Sequence, residues 1–147
     1  MALNGPAKES FVGKLADIKP DVSQLKFLCE AGQCLAANNR YSFATEIFQG
    51  VIALSPQRSI GYTLLGDANF NLGKYDEALK NHQQAVHVEP DNAFARVHLG
   101  EILLFKKQKD KGITELKKVL ETDPNGSDAR LARQYIKAAE MGVFNKL

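Results

Sequence analysis

Apolar residues recur at helical spacing through residues 59–92, in two stretches separated by a short polar break. The first stretch carries Tyr62, Leu65, Gly66 and Phe70, and the second carries Tyr75, Ala78, Ala85 and Val88. Leu72-Gly73-Lys74 interrupts the pattern, and Glu89-Pro90-Asp91-Asn92 ends it. The pattern predicts two amphipathic helices joined by a tight turn and closed at a proline. Small residues at Gly66 and Ala78 would let the two helices approach closely, with larger side chains filling the seam around them.

A single pair of this kind cannot bury its own apolar faces, so it should be stacked on copies of itself. The copies are present. Pro56, Pro90 and Pro124 are spaced 34 apart, as are Gly32, Gly66 and Gly100, and Val51, Ala85 and Val119. Ala44 and Ala78 hold the same register, with Gly112 in the third copy; Tyr41 and Tyr75 do so with Lys109. Three units follow, at 25–58, 59–92 and 93–126. The unit resembles the tetratricopeptide repeat, a helix–turn–helix of 34 residues. The matching residues are Tyr62, Leu65-Gly66, Tyr75, Ala78, Ala85 and Pro90; an aromatic usual in the family falls on Asn69, with Phe70 one place later. The resemblance implies an all-α, right-handed solenoid of three such units, with an N-terminal helical arm and a C-terminal capping helix.

Residues 1–24 supply the arm. Pro6 suits a first helical turn, and Phe11, Val12, Leu15 and Ile18 share one face. Gly13 costs this helix roughly 1 kcal/mol relative to alanine, so it needs a surface to pack on. Three roles stay open: a cap on the first repeat, a contact that pairs two copies as a homodimer, or a segment lying in the groove. Asp21 and Gln24 form a capping-box pattern for the next helix. At the other end, in 127–147, Ser127 is expected to cap a helix over 128–141. Its apolar stripe is Leu131, Tyr135, Ile136 and Ala139, with Arg130, Arg133, Lys137 and Glu140 facing water. Gly142 should stop it and leave Val143, Phe144 and Leu147 as an apolar tail.

Composition narrows the chemistry. With 147 residues, 44% apolar and 24% charged, the chain suits one globular domain. A formal charge of +2 is too small to imply a nucleic acid or a membrane surface as partner. No apolar run is long enough for membrane insertion, and the N-terminus lacks a signal-peptide layout, so a cytoplasmic location is expected. Cys29 and Cys34 match no zinc or redox spacing and read as reduced thiols packed in a helix. His82, His87 and His98 are scattered with no third donor in register, so no metal site and no cofactor are expected. Neither a phosphate-binding glycine loop nor a nucleophile motif occurs, so the chain reads as no enzyme. The basic turn of Lys106, Lys107, Lys109 and Lys111 reads as solvated.

The resemblance implies that the first helix of each unit lines a concave face. In the first unit this gives Lys26, Cys29, Glu30, Gln33, Ala36 and Ala37. In the second it gives Ile60, Thr63, Leu64 and Asp67, beside Phe70 and Asn71; in the third Phe94, Val97, His98, Glu101 and Phe105, beside Leu104. Phe70 and Leu104 are the members expected to turn into the core instead. The apolar content predicts a partner site for an apolar helix or extended peptide. Relatives that grip acidic chaperone tails use a cationic clamp, and the corresponding positions here hold Cys29, Gln33, Leu64, Phe94 and His98. The chain thus reads as a non-enzymatic protein-binding module. Its architecture resembles the small cytoplasmic chaperones of type III secretion, which hold a needle or translocator subunit before export. The alternatives are a generic scaffold or assembly factor in a permanent complex and, less directly, a regulator reaching nucleic acid through the basic turn.

Overall fold

The computed structural model describes residues 19–146. Seven α-helices follow in order: α1 (Val22–Ala37), α2 (Tyr41–Leu54), α3 (Ser59–Asn71), α4 (Tyr75–Val88), α5 (Ala93–Phe105), α6 (Lys109–Thr122) and α7 (Ser127–Glu140). A short 3₁₀ turn, Val143–Lys146, closes the described chain, and no strand occurs among the described residues. The fold is all-α. The arm residues Phe11, Val12, Leu15 and Ile18, with the homodimer contact expected of them, and Leu147 of the tail lie outside the described residues.

Each helix pair is cut by the same turn, and the turn repeats with the sequence. Asn39 (φ 59°), Gly73 (φ 75°) and Lys107 (φ 62°) are left-handed and stand 34 residues apart. The amides of Arg40, Lys74 and Gln108 then reach back to the carbonyls of Leu35, Asn69 and Leu103 at 2.9, 2.9 and 2.8 Å. This is the closure of a helix end whose last carbonyls would otherwise stay unpaired. Only Gly73 takes that backbone conformation without a Cβ penalty. Helix starts are less uniform. Asp21 and Gln24 make the full capping box on α1, whereas α7 is capped at Gly126, and Ser127, expected as the cap, is already inside the helix without a side-chain cap bond. The start of α3 borrows its acceptor from the next loop: Ser59 donates both its backbone N–H and its hydroxyl to the Glu89 carboxylate.

Sequence neighbours pack throughout, and α1 also touches α3, α3 touches α5, and α5 touches α7. The first helices of successive pairs therefore form one layer and the second helices the other, the quasi-one-dimensional order of a repeat array. Within each pair a glycine on the first helix receives a side chain from the second. A Cβ at Gly32 would sit 2.4 Å from the Phe48 ring, at Gly66 2.6 Å from His82, and at Gly100 2.6 Å from Leu116. Phe48, His82 and Leu116 are themselves one repeat apart. Ala44, Ala78 and Gly112 are buried one turn earlier.

The core runs as three adjoining clusters. One joins Leu25, Phe48, Val51, Leu64 and Leu65; a second joins Ala78, Leu99, Ile102 and Leu103; the third joins Val97, Leu104, Leu116 and Val119 to Ala132 and Ala139 of α7. Leu131, Tyr135, Ile136 and Phe144 pack against that last cluster. Phe144 folds back on Tyr135, ring centroids 6.4 Å apart, and its carbonyl accepts from Lys107. Gly142 (φ 73°) makes the reversal.

Candidate functional site

The layer formed by α1, α3 and α5 carries two adjoining openings. One, of about 150 Å³, lies between the first two pairs and is lined by Gln33, Ala36, Phe48, Leu64, Asp67, Ala68 and Asn71. The other, of about 330 Å³, lies between the second and third pairs and is lined by Asp67, Phe70, Asn71, His82, His98, Glu101 and Ile102. Asp67 and Asn71 border both, so the two open on one continuous face.

The residues expected on this face divide into two sets. Ile60, Asp67, Phe94, His98, Glu101 and Phe105 are part-exposed. Thr63 and Val97 have no exposure, so they serve the core and offer a partner nothing, while Leu64, 4% exposed, only borders the smaller opening. The physical reason is that three first helices in contact bury the side chains pointing at a neighbouring helix, even on the inner face. Leu104 is buried as expected, whereas Phe70 is only partly so. Phe70 meets Phe105 edge-on at 4.9 Å and Tyr75 at 5.4 Å, and Tyr75 lies 4.8 Å from Phe105. This aromatic trio flanks the larger opening. The face is therefore amphipathic: aromatic side chains around a polar centre, where the sequence suggested an apolar groove.

That polar centre is assembled from three helices. Asp67 Oδ1 of α3 lies 2.8 Å from His98 Nδ1 of α5 and 3.5 Å from His82 Nε2 of α4. Glu101 Oε2 lies 3.9 Å from the same His98 nitrogen. The two imidazoles are stacked with centroids 5.7 Å apart, and Phe94 meets His98 edge-on at 4.5 Å. His82 Nδ1 is buried without a hydrogen-bond partner, whereas His98 Nδ1 has the Asp67 carboxylate beside it as a charged partner. The histidines are driven apart electrostatically. Burial, partly offset by Asp67, pushes His82 down to about 4. Burial pulls His98 down too, but Asp67, Glu101 and Asp128 outweigh it and hold that imidazole above its ordinary value. Burial and then Glu101 push the Tyr135 phenol up.

The sequence register offers no third donor for His82 and His98; folding supplies Asp67, and donor atoms of all three residues lie within 4.8 Å of one another. His82 was the residue missed. Its signal was legible in the register: the equivalent positions hold Phe48 and Leu116, so an imidazole at a core position of the middle repeat stands out. The other candidate chemistry is quieter. Cys29 is buried, its thiol pushed up by that burial and by Glu30, while Cys34 is exposed and not packed as expected. Lys106 of the basic turn pairs with Asp76. No described helix is long and apolar enough to cross a membrane.

Comparison with known proteins bears on the fold. The family model described as Tetratricopeptide repeat matches residues 69–136. Over that stretch the chain resembles tetratricopeptide repeats, and its helix pairs have that repeat's fold. The mitochondrial import receptor subunit TOM70 of Rattus norvegicus is 31% identical over 106 residues, 65% of this chain. The chain spans 17% of that relative's length. Among solved structures, the first such domain of Spaghetti (RPAP3), bound to the HSP90 peptide SRMEEVD, superposes with a TM-score of 0.71 at 19% identity, covering 86% of this chain and 98% of that one. The Yersinia enterocolitica type III secretion chaperone SycD, in complex with a peptide of the translocator YopD, gives 0.69 at 18% identity over 82% and 95%. At these identities the structures share the fold of this chain.

Proposed function

We propose that this tetratricopeptide-repeat chain is a non-enzymatic binding module, acting in the cytoplasm, whose α1–α3–α5 face holds a segment of a partner protein. The observation that carries the reading is the continuous pair of openings meeting at Asp67 and Asn71. A face with Ile60, Phe94 and Phe105 around Asp67, His98 and Glu101 suits an amphipathic helix or extended segment, with apolar anchors beside a polar one. Among such modules we favour a type III secretion chaperone that holds a needle or translocator subunit before export. What suggests this choice is the fold likeness, at 18% identity, to SycD in complex with a peptide of a translocator.

Capture from the source cell by the tagged full chain, read by mass spectrometry, tests the proposal. A secreted subunit should be captured by the wild type, and its recovery should fall roughly tenfold or more with Phe94→Glu, once unchanged helicity is verified. One anchor buried at about 1.5–3 kcal/mol accounts for a loss of that size. Capture of a resident complex subunit instead would move the function to a scaffold. Undiminished capture by the folded variant would move the site off this face.

A further inference from the structure

We propose that Asp67, His82 and His98 form a binding site for a single transition-metal ion, zinc by donor chemistry, at the junction of the second and third repeats. The inference is independent of which partner the face holds.

Three observations converge on it. Donor atoms of the three residues, contributed by α3, α4 and α5, lie within 4.8 Å of one another. The His82 side chain is 3% exposed with its Nδ1 unpartnered, and its other nitrogen, Nε2, faces Asp67 Oδ1 at 3.5 Å, longer than an ordinary hydrogen bond. A buried polar atom without a partner costs about 1–3 kcal/mol, so an imidazole held only for packing would be a poor choice here. Finally, the register isolates the cluster. The positions equivalent to His82 hold Phe48 and Leu116, those equivalent to His98 hold Glu30 and Leu64, and those equivalent to Asp67 hold Gln33 and Glu101. The imidazole pair with a carboxylate occurs at one junction alone, and Gly66 leaves room for the His82 ring.

The donor set selects the ion. Two imidazoles with one carboxylate suit zinc and its neighbours, whereas calcium and magnesium take oxygen ligands almost entirely. Zinc bonds of about 2.0–2.1 Å in a tetrahedron place donors roughly 3.3 Å apart. The separations from Asp67 Oδ1, 2.8 Å to His98 and 3.5 Å to His82, bracket that value. The stacked rings do not yet aim at one point, so His98 must turn. It is the freer of the two, with its side chain 18% exposed against 3% for His82. Glu101, 3.9 Å from His98 Nδ1, stands ready as a fourth ligand or an orienting carboxylate. The 330 Å³ opening gives the ion its entry path. An ion held there would tie three successive helices together and stabilise the folded chain by mass action.

The test titrates reduced full-length protein, stripped of metal, with zinc chloride, using a competing fluorescent chelator and thermal melts as readouts. The wild type should take one equivalent saturably, and zinc should raise its melting midpoint. His82→Leu and Asp67→Asn, each verified by helicity, should bind roughly tenfold more weakly or worse and lose the shift. Asp67→Asn keeps size and shape, so it remains informative if His82→Leu misfolds. Absence of saturable one-to-one binding by the wild type overturns the proposal. Equal binding by the variants also overturns it, because the ion would then sit elsewhere, on Cys34 or His87.

Discussion

The first two helix pairs share one backbone plan and diverge at the side chain that fills the glycine notch. In the first pair the Phe48 ring lies on Gly32; in the second, the His82 imidazole lies on Gly66. Phe48 is 1% exposed and belongs to an apolar cluster with Val51 and Leu64. His82 is 2% exposed, yet it borders an opening of about 330 Å³ against 150 Å³ beside Phe48. Equal burial thus conceals opposite energetics: the phenyl ring satisfies all its contacts by dispersion, while the imidazole carries a nitrogen without a partner. A repeat array tolerates such an exchange because each unit answers only to its neighbours. Chemistry can therefore be written at one junction without redesigning the rest.

The largest effect should come from removing the neighbour that seals the far end. Truncation after Gly126 uncovers Leu104, Leu116 and Val119, which cluster with Ala132 and Ala139 of α7. Each is worth roughly 1.5–3 kcal/mol when fully buried, against a typical margin of about 5–15 kcal/mol. Chain 1–126 should melt far below the full chain; equal midpoints would show that α7 does not cap the array.

Next in size is the contrast itself. Phe48→Ala should cost about 3–5 kcal/mol in chemical denaturation, as expected for a large buried ring. His82→Leu should do the reverse in metal-free protein, adding about 1 kcal/mol by removing an unpartnered buried nitrogen. Loss of stability in His82→Leu would mean that the imidazole is satisfied in solution and the two junctions are alike.

A smaller effect separates the second pair through its helix start. The Ser59 hydroxyl and N–H hold the Glu89 carboxylate below its ordinary value of 4.5. A depressed folded-state value means that the contact contributes fully above the unfolded pKa and is lost as pH falls through the folded one. Glu89→Gln should therefore cost about 1 kcal/mol at neutral pH, the scale of a helix cap. The difference from wild type should begin to narrow as pH falls past the ordinary value of 4.5 and close once it passes the depressed folded value. A pH-independent difference would assign the loss to packing.

The smallest expected effect is none. The peptide SRMEEVD, which the RPAP3 domain binds, should bind here no better than a scrambled control in calorimetry. The face offers it Gln33, Phe94 and a His98 already paired with Asp67, with no cationic fork for its carboxylates among the described residues. Micromolar binding that requires the free C-terminus would show that His98 can replace that fork.

Periodicity by itself determined the helix pairs, because a 34-residue repeat leaves its glycines, alanines and prolines in phase, and those residues dictate close approach and turns. The αL positions at Asn39, Gly73 and Lys107 show why the pattern survives weak residues: the pairing of helix-end carbonyls holds the turn even where glycine is absent. The same periodicity misassigned Thr63 and Val97, since spacing says which side of a helix a residue occupies and not how near the next helix stands. Only tertiary structure decided the site. Asp67, His82 and His98 belong to three helices and share no spacing that signals contact, yet stacking the pairs brings a carboxylate to 2.8 and 3.5 Å from two imidazoles. Proximity across helices is a property of packing, and packing is set by the small residues at the seam rather than by the polar ones that converge there.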